Sequence, residues 1–232
     1  MSDSSRSAEQ IKIQNMALMG DELGELYSAL WQQVTWLYTK WGEYLTLFGT
    51  KQSRIELLNS TAPAFFKTVQ DSLWEDVLLH ITRITDSPKT AKKDNLSFLR
   101  LPGLILDSKL KVTTEQLLTT AIDASAFARD WRNRRIAHSD LKLMLLLSAE
   151  PLAAASRSHV QSTLSALAAV LNCISNSYLN STTMFEFCLE PSPGGALTLL
   201  HYLHDGQEAK TSRKERVESG IFSPEDIQKR NL

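Results

Sequence analysis

Apolar residues recur at gaps of three and four along most of this chain, the spacing that lines one face of an α-helix. Leu23, Leu26, Leu30, Val34, Leu37, Trp41, Tyr44 and Phe48 form the first stripe, and Gly49 is placed to end it. Trp31 and Trp36 fall off that stripe and predict a second apolar face, packed within the fold or across a dimer. Ser60 and Thr61 before Pro63 announce a second long helix. It turns Phe66, Val69, Leu73, Val77, Ile81 and Ile84 inward, and Asp86-Ser87-Pro88 stops it. A third helix is capped by Thr113 or Thr114, with Leu118, Ala121, Ala124, Ala128 and Trp131 inward. A fourth follows Pro151 and carries Val160, Leu164, Leu167, Leu171, Ile174 and Tyr178 on one face.

The connecting segments are less regular. Asp86 to Ser97 reads as a polar, lysine-bearing loop, and Leu96 to Ile105, broken by Pro102-Gly103, as a short helix or turn. Leu141 to Leu147 is a short strand or an irregular core segment; periodicity does not decide between them. After a break at Pro191 to Gly195, Leu197 to Leu203 predicts a short helix, and Ser223-Pro224-Glu225-Asp226 caps another. The sum is an all-α bundle of four long helices plus short ones. Along the chain it divides into a polar lead-in over 1–20, a helical domain over 21–190 and a C-terminal extension with short helices over 191–232.

Composition narrows the function classes. With 43% hydrophobic and 22% charged residues, the 232-residue chain can bury a substantial core, while 9 Gly and 7 Pro argue against a strand-rich sandwich. A net charge of -1 excludes a general nucleic-acid coat, so any such contact must come from a local basic patch. Cys173 and Cys188 have neither CxxC nor Cys/His spacing, so no zinc site or disulfide framework is expected, and reduced thiols fit the cytoplasm. The polar start lacks the apolar stretch of a signal peptide. No apolar run approaches the roughly 20 residues of a membrane span. These features predict a soluble cytoplasmic protein with no membrane contact, no metal and no cofactor.

Candidate chemistry concentrates in Asp130-Trp131-Arg132-Asn133-Arg134-Arg135-Ile136-Ala137-His138-Ser139-Asp140. Three arginines within four residues repel one another unless something anionic is near, though a helix C-terminus favours cations in any case. Arginine presents a planar fork that matches phosphate oxygens, and a histidine beside it can move protons near neutral pH. Metal-free RNA cleavage needs both capacities: a base for the ribose 2′-OH, an acid for the leaving 5′-oxygen, and a fixed cation for the charge on phosphorus. His138 can serve as base or acid and Arg132 as the cation. One histidine does not readily fill both proton-transfer roles in one pass, so a second copy of the chain would supply the other.

The motif resembles that of HEPN ribonucleases, in which an arginine, usually followed by a polar residue, precedes a histidine by four to six residues. Here Asn133 follows Arg132, and five residues separate Arg132 from His138. The tryptophan-rich first helix and the stretch Leu78-Leu79-His80-Ile81-Thr82-Arg83-Ile84-Thr85-Asp86 are similar to the AbiU-type abortive-infection branch, over about Leu23 to Tyr178. The resemblance implies a HEPN-like helical bundle, a homodimer with two motifs facing one cleft, and an endoribonuclease leaving a 2′,3′-cyclic phosphate. It further implies phage defence or a toxin role, with a nucleotidyltransferase-like antitoxin as candidate partner. Catalysis would fall to Arg132 and His138, and RNA binding to Asn133, Arg134 and Asp140. The competing reading is a non-catalytic HEPN module that binds a partner protein or a nucleotide.

Other residues carry plainer readings. Arg132 and His138 fall about 120° apart on an unbroken helix. Either the helix loosens near Ala137, or Arg134 shares the phosphate role, or two chains contribute different residues. Arg135 reads as a solvated or capping charge, and Asp130 and Asp140 as partners of nearby arginines, with Asp140 alternatively orienting His138. Arg83 and Asp86 predict a local ion pair and helix stop, with a share in the cleft suggested by the family pattern alone. His80 is expected half-buried and structural. His159, His201 and His204 have no partner at ligand spacing. Lys210, Arg213, Lys214 and Arg216 form a solvated face that could also hold RNA backbone.

Overall fold

A computed structural model describes residues 6–49, 51–137, 140–145 and 150–228. The described chain is all-α apart from one small ribbon, as the apolar stripes predict. Its helices are α1 Ala8–Met19, α2 Asp21–Phe48, α3 Gln52–Thr61, α4 Pro63–Thr85, α5 Leu101–Leu104, α6 Ser108–Ala124, α7 Ala126–Trp131, α8 Leu141–Met144, α9 Arg157–Leu179, α10 Ala196–Glu218 and α11 Pro224–Ile227. Strands β1 Lys89–Thr90 and β2 Lys93–Asp94 pair antiparallel within the segment expected to be a loop. Among the described residues, no helix is long and apolar enough to cross a membrane.

The chain divides into two compact units: Met1–Trp41 with Leu73–Leu189, and Gly42–Ser72 with Glu190–Leu232. In the first, the stripes of four helices meet. Leu30, Val34, Leu37, Tyr38 and Trp41 of α2 are fully buried, as are Val77, Leu78 and Ile81 of α4, and Val160, Leu164, Leu167, Leu171 and Ile174 of α9. Leu118 and Ala121 of α6 complete the interior as that helix packs along α9. Phe185 stacks on Tyr38, with ring centroids 5.7 Å apart.

The residues read as a polar lead-in contain a helix. Ser7 and Gln10 form a capping box at the start of α1, and Gly20 ends it at φ 88, a conformation that favours glycine. Gly24 then lets α1 lie directly on α2: a Cβ there would sit 2.5 Å from the Met16 backbone. The contact is partly polar, with Asn15 Nδ2 donating to Ser28 Oγ at 3.0 Å, which is why no apolar stripe announced it.

Other boundaries also move. The third long helix starts not at Thr113 or Thr114 but at Asp107, whose carboxylate accepts from Leu110 N at 2.6 Å. Thr114 is buried inside it. Leu141 to Leu145 forms no strand: α8 is a single turn, with Leu141 69% and Leu145 58% exposed and Leu143 half-buried. Leu146 and Leu147 lie outside the described residues.

In the second unit α3, which no apolar stripe marked, packs on α10. Leu58 is buried there, and Gln207 Nε2 donates to Ser60 Oγ and Thr61 Oγ1 at 3.2 Å each. Glu43 Oε2 accepts from Ala196 N at 2.6 Å, placing a carboxylate on the N-terminus of α10. α10 runs to Glu218, well past the expected Leu203, because charge pairs such as Lys214–Glu218 sustain it where the apolar pattern stops.

His80 is more buried than expected, at 4% exposure. Its Nε2 meets Gln33 Oε1 at 2.9 Å, while Nδ1 has no partner among the described residues. Burial, and then the nearby Lys40 ammonium, push its pKa from 6.5 down to about 4. A depressed histidine stabilises the fold fully above pH 6.5 and loses that contribution as pH falls toward 4, where only the unfolded chain takes the proton. The shift corresponds to about 3 kcal/mol. Urea midpoints of the parent should therefore fall between pH 6.5 and 5 more steeply than those of His80→Gln. In the core, Leu164→Ala should cost about 2–5 kcal/mol, against under ~0.5 kcal/mol for Leu141→Ala, both read by chemical denaturation.

Candidate active site

The arginine-rich segment is the continuation of α6 after a break. Thr163 Oγ1 of α9 donates to Ala124 O at 2.7 Å, taking the last carbonyl of α6, and Ser125 is buried at the joint. α7 resumes at Ala126 and widens over Arg132–Ile136 into a π turn, in which Ala137 N donates to Arg132 O at 2.8 Å. The helix is therefore loosened over Arg132–Ile136, just ahead of Ala137, although a wider turn does not by itself bring residues six positions apart onto one face. His138 and Ser139 lie outside the described residues.

Three residues apart on this helix, Arg129 and Arg132 both reach Asp86 just past the end of α4. Arg132 Nη1 bonds Asp86 Oδ2, and Arg129 Nε lies 3.5 Å from Asp86 Oδ1. Arg129 Nη2 also donates to Thr85 O at 3.0 Å. Asp86 thus pairs with the motif helix and not with Arg83, correcting the local pair read from their i, i+3 spacing. Arg132 Nε donates to Asn133 Oδ1 at 3.0 Å, so two edges of its guanidinium are held. Its side chain keeps 27% exposure.

Arg134 faces a different set of groups. Its guanidinium donates to Pro151 O at 3.2 Å and to Glu150 O, and Nη1 lies 3.6 Å from Asp130 Oδ1. Asp130 Oδ2 accepts from Ala153 N at 2.8 Å, and Trp131 Nε1 donates to Ala153 O at 2.9 Å. The motif helix therefore pins the segment leading into α9. Asp140 Oδ1 caps α8 through Leu143 N at 3.0 Å, and Oδ2 lies 3.9 Å from Arg134 Nε. Asp130, Arg134, Asp140, Lys142 and Glu150 line a polar cavity of about 440 Å³. Asn133 is exposed, and Arg135 lies over the Trp131 ring, 5.5 Å from its centroid.

Residues 20–199 match the model of the HEPN AbiU2 family. The chain belongs to that family. No protein of curated function and no solved structure matches it. The matched region includes Asp86, Arg129 and the whole of the Arg132 to Asp140 segment, so the ion-pair cluster lies inside the family region.

Sequence reasoning missed Arg129; its signal was the i, i+3 step to Arg132, which puts both on one face. His159 lies in the first turn of α9, where the N-cap Ser156 Oγ accepts from His159 N at 3.3 Å and lies 3.2 Å from its Nδ1. His204 does have carboxylates near it, Asp205 at 3.7 Å and Glu208 at 3.8 Å, all three exposed. Arg216 is engaged by Asp226 of α11. Trp41, Trp74 and Trp131 form a chain of ring contacts, while Trp36 is exposed beneath Lys40.

Removing the Asp86 charge leaves two half-buried guanidinium groups facing each other. Asp86→Asn should destabilise the protein by about 1–3 kcal/mol, between the exposed and buried limits for an ion pair. Arg83→Ala should change stability by less than ~0.5 kcal/mol. Denaturant midpoints of the two variants check the assignment.

Proposed function

We propose that this chain is a metal-independent endoribonuclease working through Arg132-Asn133-x4-His138, with two copies facing one cleft, in phage defence or as a toxin. The observation that carries the proposal is the posture of Arg132. Asp86 holds Nη1 and Asn133 holds Nε, while Nη2 has no acceptor among the described residues. A guanidinium fixed on two sides with its third edge unclaimed is prepared for a phosphate oxygen without reorganising.

The chemistry follows from that cation and the adjacent histidine. A base takes the 2′-OH proton, O2′ attacks phosphorus, and the P–O5′ bond breaks as an acid protonates O5′. The products are a 2′,3′-cyclic phosphate and a 5′-hydroxyl. His138 takes one proton-transfer role, and His138 of a second copy takes the other. Arg132 stabilises the charge on the non-bridging oxygens. Asn133 fixes Arg132, and Arg134 and Asp140 meet the RNA at the polar cavity they share. A nucleotidyltransferase-like antitoxin is the candidate partner that would restrain the activity.

Purified protein incubated with total cellular RNA should cleave it equally with and without EDTA. His138→Ala should lower the rate by about 10²–10⁴-fold and Arg132→Ala by about 10²–10³-fold. Chelator-sensitive cleavage, or full activity in His138→Ala, would refute the mechanism. No cleavage by the parent, alone or freed from a partner, would leave the chain a binding module.

A further inference from the structure

The net charge of -1 means that an RNA substrate must be gripped by a local concentration of positive charge. The most unbalanced stretch near Arg132 is the end of α4 and the ribbon that follows it. Arg83, Lys89, Lys92 and Lys93 are all exposed. The two acidic residues among them are already engaged, Asp86 by Arg129 and Arg132, and Asp94 by Arg100 at 2.7 Å. By contrast, the basic run of α10 is interleaved with Asp205, Glu208, Glu215 and Glu218, so that helix is close to neutral.

Position agrees with charge. Arg83, Asp86, Thr90, Lys93 and Asn95 line one cavity of about 570 Å³, and Asp86 is the residue that holds Arg132. The ribbon is itself anchored to the same point. Ser97 Oγ donates to Asp86 O at 2.5 Å, Asn95 Nδ2 donates to Ser87 O at 2.9 Å, and Arg100 Nη2 donates to Pro88 O at 2.8 Å. Its lysines are thus carried on a braced element beside the motif arginine.

We infer that Arg83 and the β1–β2 ribbon, through Lys89, Lys92 and Lys93, bind the phosphate backbone of single-stranded RNA and lead it to Arg132. This rests on the ribonuclease reading and adds the route by which the strand reaches the site. Lysine suits such a role, because a mobile point charge neutralises successive phosphates without reading sequence. The cavity between Arg83 and Lys93 falls in the size range of small-ligand sites.

Binding is best measured on full-length protein carrying His138→Ala, which leaves the probe intact, with a fluorescein-labelled single-stranded RNA followed by anisotropy across a salt series. Lys89→Gln/Lys92→Gln/Lys93→Gln should weaken binding by about 10–100-fold and reduce the slope of log affinity against log salt by about 2, since each lost single-strand contact removes about 0.7. Lys210→Gln/Lys214→Gln on α10 should leave both quantities unchanged. The single variant Lys93→Gln should show about one third of the slope change, guarding against misfolding of the triple variant. If the triple variant binds with parental affinity and slope while the parent cleaves RNA, the ribbon assignment falls and the nuclease reading stands. If the parent neither binds nor cleaves RNA, both fall together.

Discussion

A single carboxylate, that of Asp86, makes the arginine-rich helix tenable. Arg129 and Arg132 stand on one face, close enough to repel, and only an anion between them turns that repulsion into cohesion. Because Asp86 sits just past α4, the same pair ties the end of α4 to α7. Its backbone carbonyl is bonded by Ser97, so the ribbon shares the anchor. Positioning of the candidate cation, closure of the helix end and bracing of the neighbouring loop thus converge on one residue.

Much of the fold could be read from the chain because its main helices bury a continuous face. The stripes read over Leu23 to Phe48, Phe66 to Ile84 and Val160 to Tyr178 contain many buried positions, since apolar burial at helical spacing leaves a direct record in sequence. Leu26, Val69, Leu73 and Tyr178 on them are half-buried. What escaped were helices held by other means. α1 docks through a glycine close approach and an Asn15–Ser28 bond, and α10 continues on charge pairs. Neither mechanism leaves an apolar period. Leu141 and Leu145 misled in the opposite sense: apolar by composition, they are exposed.

For the candidate site, local spacing singled out the segment, and family resemblance supplied the role proposed for it. It could not locate the tertiary partners. The i, i+3 relation of Arg83 and Asp86 suggested a pair within one helix, yet the carboxylate turns to arginines more than 40 positions away. Likewise Asp130 and Trp131 hold both polar groups of Ala153, a contact 22 to 23 residues distant that no short-range rule anticipates. His138, on which the proposed chemistry centres, lies outside the described residues.

The π turn has a consequence for how the motif can vary. A helix that widens to an i to i+5 bond accommodates one residue more than an α turn in the same stretch. Such a turn works as a length buffer: deleting one residue at Arg135 or Ile136, past the side chains that anchor the segment, can be absorbed by tightening to ordinary α geometry, without disturbing the Asp86 anchor or the Ala153 anchor upstream. A loose spacing rule is what such a scaffold would permit.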